Sequence, residues 1–190
     1  MVDHTLERIV QVPEAQEKLQ NATSTDDNST GTLHCKIGFD GASSQSVYKQ
    51  KYEETELTDA KKNEESLFQT AFVPLKLTIK DNNIWLNKKP SSTRYCRPVN
   101  LQYKKETPEV SQGEAKHLQE EIEALNHHVL ELEDENGRKT NHIINFKVDM
   151  TMFDGKVVNA LTDTKSTQSC NVCDAKPSEM NNVKIIRKKK

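Results

Sequence analysis

Alternating apolar and polar residues predict several short strands along the chain. The clearest early run covers 33–39, where the period of two is typical of a half-buried strand, and it ends at Asp40-Gly41. The same alternation predicts further strands over 71–79, 84–86, 99–103 and 144–152. The turn residues Asp81-Asn82-Asn83 join the first two of these and make 71–87 a predicted hairpin.

A change of period predicts a helix over 114–135. The apolar positions there are spaced by four and three residues in turn, which places them on one helical face: Leu118, Ile122, Leu125, Val129 and Leu132. Asn136-Gly137 is a typical helix stop. Shorter helices are predicted over 3–20, with an interruption at Pro13, and over 156–162.

These elements divide the chain into three expected parts. Residues 1–32 form a helix and a polar linker, and residues 165–190 contain a Cys-x-x-Cys turn and a basic tail. Between them, 33–164 forms an α/β core in which the charged stretch 49–66 is a solvated insertion.

The order of elements favours a particular fold class. An RNase H-like α/β layer begins with antiparallel strands, followed by a crossover helix and a strand parallel to the first. We therefore expect a mixed sheet with a crossover helix.

Composition narrows the class of protein. The chain has 190 residues, of which 33% are hydrophobic and 29% are charged, so we expect a small core with long polar insertions. The net charge of −2 excludes a histone-like protein that coats DNA. No run approaches the roughly 18 apolar residues of a membrane-spanning helix, and no signal peptide is expected.

Asp40 and Asp154 are the candidate metal ligands. Each follows an alternating strand and precedes a glycine. If the two strands are parallel neighbours, their carboxyl ends meet at one edge of the sheet, where open α/β sheets bind ligands. Two close carboxylates repel unless a cation lies between them, and Mg²⁺ prefers such oxygen ligands. The alternative is that each Asp-Gly merely marks a turn.

The cysteines suggest a second kind of site. Without a secretory signal they are expected to be reduced thiols or metal ligands. Cys170 and Cys173 have the spacing of half a zinc site, although a redox pair and no ligand role remain alternatives. Spare ligand residues are His117, His127, His128 and His142. Cys35 shares the face of the apolar residues in its strand and is expected in the core.

A basic segment is a candidate contact for a phosphate backbone. Lys88, Lys89, Arg94 and Arg97 flank the predicted strand near 99, with Tyr95 among them. The alternative is a solvated rim. The tail at 187–190 suits a nuclear address or a phosphate contact.

Four segments in order resemble one known family. They are CKIGFDGASSQSVYKQ (35–50), FVPLKLTIKDNNIWLNKKPSSTRYCRPVNLQY (72–103), INFKVDMTMFDGKVVNAL (144–161) and CNVCDAKPSEM (170–180). Together they resemble the catalytic core of the V(D)J recombination-activating protein and its Transib transposase relatives. The stretch Tyr95-Cys96-Arg97-Pro98 is similar to the Cys-Cys-Lys-Pro stretch of that family.

The resemblance implies roles for four residues. Asp40 and Asp154 match the first two catalytic carboxylates of a DDE-type endonuclease, which would bind Mg²⁺ or Mn²⁺. Cys170 and Cys173 match two Zn²⁺ ligands. The resemblance further implies DNA as the partner, DNA nicking and strand transfer as the reaction, a homodimer and a nuclear location.

The chain also departs from the family pattern. The third carboxylate, a Glu, the remaining zinc ligands, two His, and the separate DNA-binding domain of the family have no counterpart here. We therefore expect a core truncated before the later strand and helices, without robust nuclease activity. The alternatives are a domesticated, non-catalytic DNA- or protein-binding module and a plain α/β interaction domain.

Overall fold

The structure is a computed structural model that describes residues 1–23, 28–43, 66–80, 82–133, 137, 139–164, 166 and 168–189. Apart from Ser66, the predicted charged insertion at 49–66 lies outside these residues. The helices are α1 (Val2–Val10), α2 (Pro13–Thr23), α3 (Pro108–Glu123), α4 (Gly155–Thr162) and α5 (Val183–Ile186). The strands are β1 (Asn28–Ser43), β2 (Ser66–Ile79), β3 (Asn82–Leu86), β4 (Arg97–Gln102), β5 (His128–Glu133) and β6 (Lys139–Thr151).

The strands form a mixed sheet in an α/β fold. The strand order is β3-β2-β1-β6-β5, and β4 pairs with β2. β6 lies parallel to β1, whereas β3 is antiparallel to β2 and β5 is antiparallel to β6. The predictions of a parallel strand beside the first one and of a hairpin over 71–87 are confirmed.

The chain folds as two compact units. The first comprises Met1–Gly38, Ala71–Val99 and Ala124–Thr151, and the second comprises Phe39–Thr70, Asn100–Glu123 and Met152–Lys190. The buried apolar cluster of the first unit consists of Leu6, Ile9, Ala15, Leu19, Leu33, Cys35, Phe72, Leu77, Ile79, Ile84, Leu130 and Ile144. Full burial of an aliphatic side chain of this kind contributes about 1.5–3 kcal/mol, so this cluster is the main source of stability for the first unit.

Cys35 belongs to this core, as its position in the alternating strand predicts. Its side chain is buried, and burial raises the pKa of the thiol to about 12, with a smaller contribution from Asp149. The thiol therefore stays protonated near neutral pH and behaves as a small apolar residue.

The amino-terminal helices follow the expected interruption at Pro13. Proline starts α2, where its missing N–H costs nothing because the first helical N–H groups lack partners in any case. Residues 28–32, expected in a polar linker, instead begin β1. Their backbone pairs with β6, with Thr30 opposite Ile143. Sheet pairing therefore determines the conformation of a segment whose residue types are typical of a loop.

The predicted helix over 114–135 is wrong in its second half. α3 starts earlier, at Pro108, and ends at Glu123, and Leu125 lies in the connection that follows. Val129 and Leu132 are on β5, where Leu130 is the buried residue. Apolar and polar residues over 128–133 also alternate with a period of two, as in a strand. Pairing with β6 favours the strand over the helix.

Gly31 lies where strands of the first unit approach one another closely. A Cβ added there would lie 2.6 Å from the backbone oxygen of Thr78, 2.7 Å from Cδ1 of Ile144 and 2.9 Å from Cγ1 of Ile79. These atoms are held by the sheet and the core, so they cannot move aside without cost.

We expect Gly31→Ala to lower the free energy of unfolding by about 2 kcal/mol, since it overpacks a fixed site. Gly113→Ala is the matched control, because nothing lies within 4 Å of a Cβ there and Gly113 is inside α3. Alanine should stabilise that helix by up to about 1 kcal/mol. Urea unfolding of both variants measures the difference, and an unchanged Gly31→Ala midpoint would contradict the packing described.

His142 is a fully buried polar residue of β6 that contacts Ser29 of β1. Its Nδ1 is 2.6 Å from the Ser29 hydroxyl, and its Nε2 is 3.3 Å from the Thr140 hydroxyl. Burial lowers the pKa of the imidazole, and the charge of Lys80 lowers it further. The neutral form uses one nitrogen as donor and the other as acceptor, so both hydroxyls are satisfied.

Protonation of His142 should destabilise the fold. The unfolded chain has the ordinary histidine pKa of 6.5 and binds the proton first, so stability is full above pH 6.5 and is lost as pH falls through the lower pKa of the folded state. The slope from this residue is at most about 1.4 kcal/mol per pH unit.

Urea unfolding between pH 7 and about pH 5 measures this effect. We expect His142→Asn to reduce the pH dependence, whereas the exposed control His117→Asn keeps the wild-type dependence. An equal slope in wild type and His142→Asn would show that another group is responsible.

Candidate functional site

Asp40 lies near the end of β1 and its side chain is exposed. The prediction that the strand ends at Asp40-Gly41 is wrong, because β1 continues to Ser43. The parallel register pairs Ile37 with Thr151, and Asp40 and Asp154 lie equally far beyond these two residues along their chains. Asp40 therefore lies near the carboxyl end of β1, and Asp154 lies shortly after the carboxyl end of β6.

Aromatic contacts bring together the residues that precede the two aspartates. The rings of Phe39 and Phe153 have centroids 4.7 Å apart, and Phe39 also contacts Phe68 at 5.5 Å. Phe39 and Phe68 are almost completely buried. This cluster fixes the backbone next to Asp40 and next to Asp154 in the second unit.

Asp154 also has a structural role. It is the N-cap of α4, and its Oδ1 accepts a hydrogen bond from the backbone N–H of Val157 at 2.7 Å. Such a cap typically contributes about 1 kcal/mol to helix stability. One carboxylate oxygen is therefore engaged, and Oδ2 is the oxygen that remains for a cation.

Glu106 and Lys156 form an ion pair in the second unit, and Glu106 lies against Gly41. The sequence pattern does not predict this ion pair. Oε1 of Glu106 is 3.3 Å from Nζ of Lys156, and the Glu106 side chain is only 8% exposed. A Cβ added at Gly41 would lie 2.7 Å from Oε2 of Glu106, so glycine at this position admits the carboxylate. The signal in the sequence was Gly41, the glycine after Asp40. Glu106, the residue that it contacts, is distant in the chain.

By themselves, the two aspartates would supply only part of the ligands of a cation site. Their oxygens are the donors that Mg²⁺ prefers. Within the described residues, however, no group of three or more His, Cys, Asp or Glu side chains is arranged to hold a metal ion. The donor chemistry fits a hard cation, and the small number of charged ligands predicts weak binding.

The two cysteines predicted as a zinc half-site lie on one turn. The N–H of Cys170 donates to the Ala175 carbonyl at 2.9 Å, and the N–H of Asp174 donates to the Cys170 carbonyl at 2.7 Å. Asp174 has a left-handed φ of 52°, which lets the chain reverse directly after Cys173. Both cysteines are free thiols.

Hydrogen bonds to sulfur complete this turn. The Cys170 sulfur accepts from the backbone N–H groups of Val172 and Cys173, and these bonds, with one from the Cys173 side chain, lower the pKa of the Cys170 thiol. Cys170 and Cys173 line a pocket of about 480 Å³ that also includes Lys189. The turn therefore places both cysteines at the same pocket, with Cys173 buried.

The spare histidines do not complete that site. His142 is buried between Ser29 and Thr140, and Nδ1 of His128 is 2.9 Å from Asp3. His117 and His127 are exposed.

The predicted basic residues belong to one continuous segment of the first unit. Lys88 is 77% exposed and 4.0 Å from Glu14, and Lys89 and Arg94 are exposed as well. Arg97 is half-buried at the start of β4. Trp85, which the sequence pattern does not mark as a site residue, packs on Tyr95 with centroids 6.2 Å apart.

Comparisons with known proteins leave the family open. A scan against protein-family models finds no match, and a search of curated proteins finds none either. Within the described ranges, no helix combines the length and the apolar character needed to cross a membrane.

Proposed function

We propose that this chain carries the first two carboxylates of a DDE-type transposase or recombinase core on an RNase H-like sheet. The family is that of the V(D)J recombination-activating protein and Transib transposases. One observation carries the proposal: neighbouring parallel strands, joined by a Phe39–Phe153 contact, lead into Asp40 and Asp154. DNA is the proposed partner, and Mg²⁺ or Mn²⁺ is the proposed cofactor.

The two aspartates would hold the cation by their free oxygens while phosphate oxygens of DNA fill other positions around it. When bound, such a cation activates a water or hydroxyl nucleophile and offsets the charge of the phosphate. Asp154 contributes one oxygen and keeps its bond to Val157, so α4 fixes the direction of that ligand. With only two carboxylates, we expect binding without robust nicking.

Mn²⁺ binding tests the proposed cation site. We expect Mn²⁺ to broaden the backbone NMR signals around Asp40 and Asp154 selectively. Asp40→Asn and Asp154→Asn should each weaken binding about tenfold, equivalent to roughly 1.4 kcal/mol for a lost ionic ligand. Asparagine is also a good N-cap, so Asp154→Asn separates metal binding from helix capping.

The matched control is Asp163→Asn, since Asp163 is an exposed aspartate at the left-handed C-cap of α4, a conformation that asparagine tolerates. It should leave Mn²⁺ binding unchanged. If Mn²⁺ broadens the NMR signals equally in wild type, Asp40→Asn and Asp154→Asn, the proposed cation site is refuted. Strong Mg²⁺-dependent nicking of DNA that Asp40→Asn abolishes would instead refute the expected lack of activity.

The second candidate function is a non-catalytic DNA-binding module. The observation in its favour is the exposed basic segment at 88–97 with its packed pair Trp85 and Tyr95. Basic groups beside aromatic faces suit a phosphate backbone and unstacked bases.

Fluorescence anisotropy with labelled duplex and single-stranded DNA at increasing salt tests this candidate. We expect Lys89→Ala and Arg94→Ala each to weaken binding and to reduce the slope of log affinity against log salt by about one. Lys116→Ala is the control, because Lys116 is 81% exposed on α3, outside this segment. Equal effects of all three variants would mean a diffuse charge effect rather than a DNA-binding segment.

A further inference from the structure

Positive charge is concentrated in residues 174–190. This stretch has six basic and two acidic residues and therefore a net charge of +4, whereas the whole chain has a net charge of −2. The rest of the chain is therefore acidic overall. A basic surface on an acidic protein attracts anionic partners through its local field.

Hydrogen bonds and an ion pair fold residues 174–189 of the second unit into a surface segment, which we call the lysine-rich segment. The ammonium of Lys189 lies 2.6 Å from Oε2 of Glu179 and donates to the Asp174 carbonyl at 3.3 Å. The same carboxylate oxygen accepts a hydrogen bond from the backbone N–H of Lys176 at 2.8 Å. Lys189 is thus engaged within the segment, and the other basic side chains project from a folded backbone.

The exposed cations of the lysine-rich segment lie on α5 and just after it. Lys184, Arg187 and Lys188 are all exposed. The N–H of Arg187 donates to the Val183 carbonyl at 3.0 Å, so the helical turn continues past the end of α5 at Ile186. Residues four apart on a helical turn are neighbours on its surface, which places Arg187 beside Val183.

Aliphatic side chains are exposed among these cations. Val183 is 59% exposed, Met180 is 41% exposed and Ile185 is 38% exposed. Val183 and Ile185 flank Lys184 in the sequence. Aliphatic side chains gain free energy when they leave water, so the segment offers a partner apolar area as well as positive charge.

We propose that the lysine-rich segment binds the surface of an anionic lipid bilayer. Lys184 and Arg187 contact the negative headgroups, and Val183 and Ile185 enter the boundary between the headgroups and the acyl chains. The segment lies on the bilayer and does not cross it. The inference goes beyond the DNA proposal and does not depend on it.

The mixture of charge and apolar area favours a bilayer over a nucleic acid as the partner. A phosphate backbone neutralises the cations but leaves Val183 and Ile185 in water. At a bilayer, binding strengthens with both the apolar area that is buried and the attraction to anionic lipid. Lysine and arginine side chains also keep their charge among the headgroups while their carbon stems lie along apolar surface.

Vesicle flotation of the reduced full chain tests the proposal. We expect the chain to float with vesicles made of equal parts of phosphatidylcholine and phosphatidylserine, and to stay in solution with vesicles of phosphatidylcholine alone. Salt should weaken the binding, because it screens the attraction between exposed charges. The assay contains EDTA and no DNA, so a failure of the proposed cation site or of DNA binding leaves its result unaffected.

A charge variant tests the contact with the headgroups. Lys184→Ala should weaken binding to the mixed vesicles about fivefold, since each basic residue near the surface adds to the attraction. Lys184→Arg keeps the charge and should bind as tightly as wild type. Lys116→Ala is the matched control, because Lys116 is 81% exposed on α3, outside the lysine-rich segment. It should leave vesicle binding unchanged.

An uncharged substitution tests the apolar contribution separately. Val183→Asn removes an exposed aliphatic side chain without changing the net charge, and we expect about tenfold weaker binding to the mixed vesicles. Val12→Asn is the matched control in the first unit, where Val12 is 37% exposed and directly precedes α2. Asparagine is a preferred residue directly before a helix, so this variant should fold and bind like wild type.

Three outcomes would overturn the proposal. One is equal binding of the wild-type chain to both kinds of vesicle. Another is wild-type affinity of Val183→Asn for the mixed vesicles, which would leave charge alone as the cause of binding. The third is a lack of vesicle binding together with binding to duplex DNA that Lys184→Ala weakens, which would make the segment a nucleic-acid contact. The comparison of the two vesicles uses only the wild-type chain, so it decides the question even if a variant fails to fold.

Discussion

The parallel pairing of β1 with β6 is the constraint on which the rest of this structure depends. It joins two segments that lie more than a hundred residues apart, from Asn28 opposite Asn141 to Ile37 opposite Thr151. Side chains reinforce it across the two strands, since His34 lies 2.6 Å from Asp149 and Ser29 lies 2.6 Å from His142. Burial opposes ionisation of Asp149, but bonds from Lys147 and His34 outweigh it and lower the pKa of the carboxyl. Without this pairing, the carboxyl ends of β1 and β6 would have no common edge.

Several polar residues near that edge serve the fold and the proposed chemistry together. Asp154 caps α4 with one oxygen and keeps the other, so the same bond that starts the helix fixes the carboxylate. Gly41 admits the buried carboxylate of Glu106, which Lys156 neutralises. A buried carboxylate needs such a partner because an isolated charge is costly in a protein interior. Gly41 is therefore required by packing and Asp154 by helix capping, although both look like turn residues in the sequence.

The two candidate metal sites differ in chemistry and share one property. Asp40 and Asp154 offer hard oxygen ligands, whereas Cys170 and Cys173 offer soft sulfur ligands, so the two pairs favour different ions. Each pair is too small to fill a coordination shell. At the aspartates, the remaining positions suit phosphate oxygens and water, which Mg²⁺ keeps readily. At the cysteines, zinc would favour further nitrogen or sulfur ligands from protein.

The sequence by itself determined the local features: the alternation over 33–39 and 144–151, the hairpin near 81, the break at Pro13 and the burial of Cys35. These follow from the period of apolar positions and from proline and turn chemistry, which act over a few residues. Only the tertiary structure decided that 128–133 is a strand, that 28–32 belongs to β1 and that Glu106 meets Gly41. Those outcomes depend on partners distant in the chain, because an edge strand and a close backbone approach exist only once the sheet has formed.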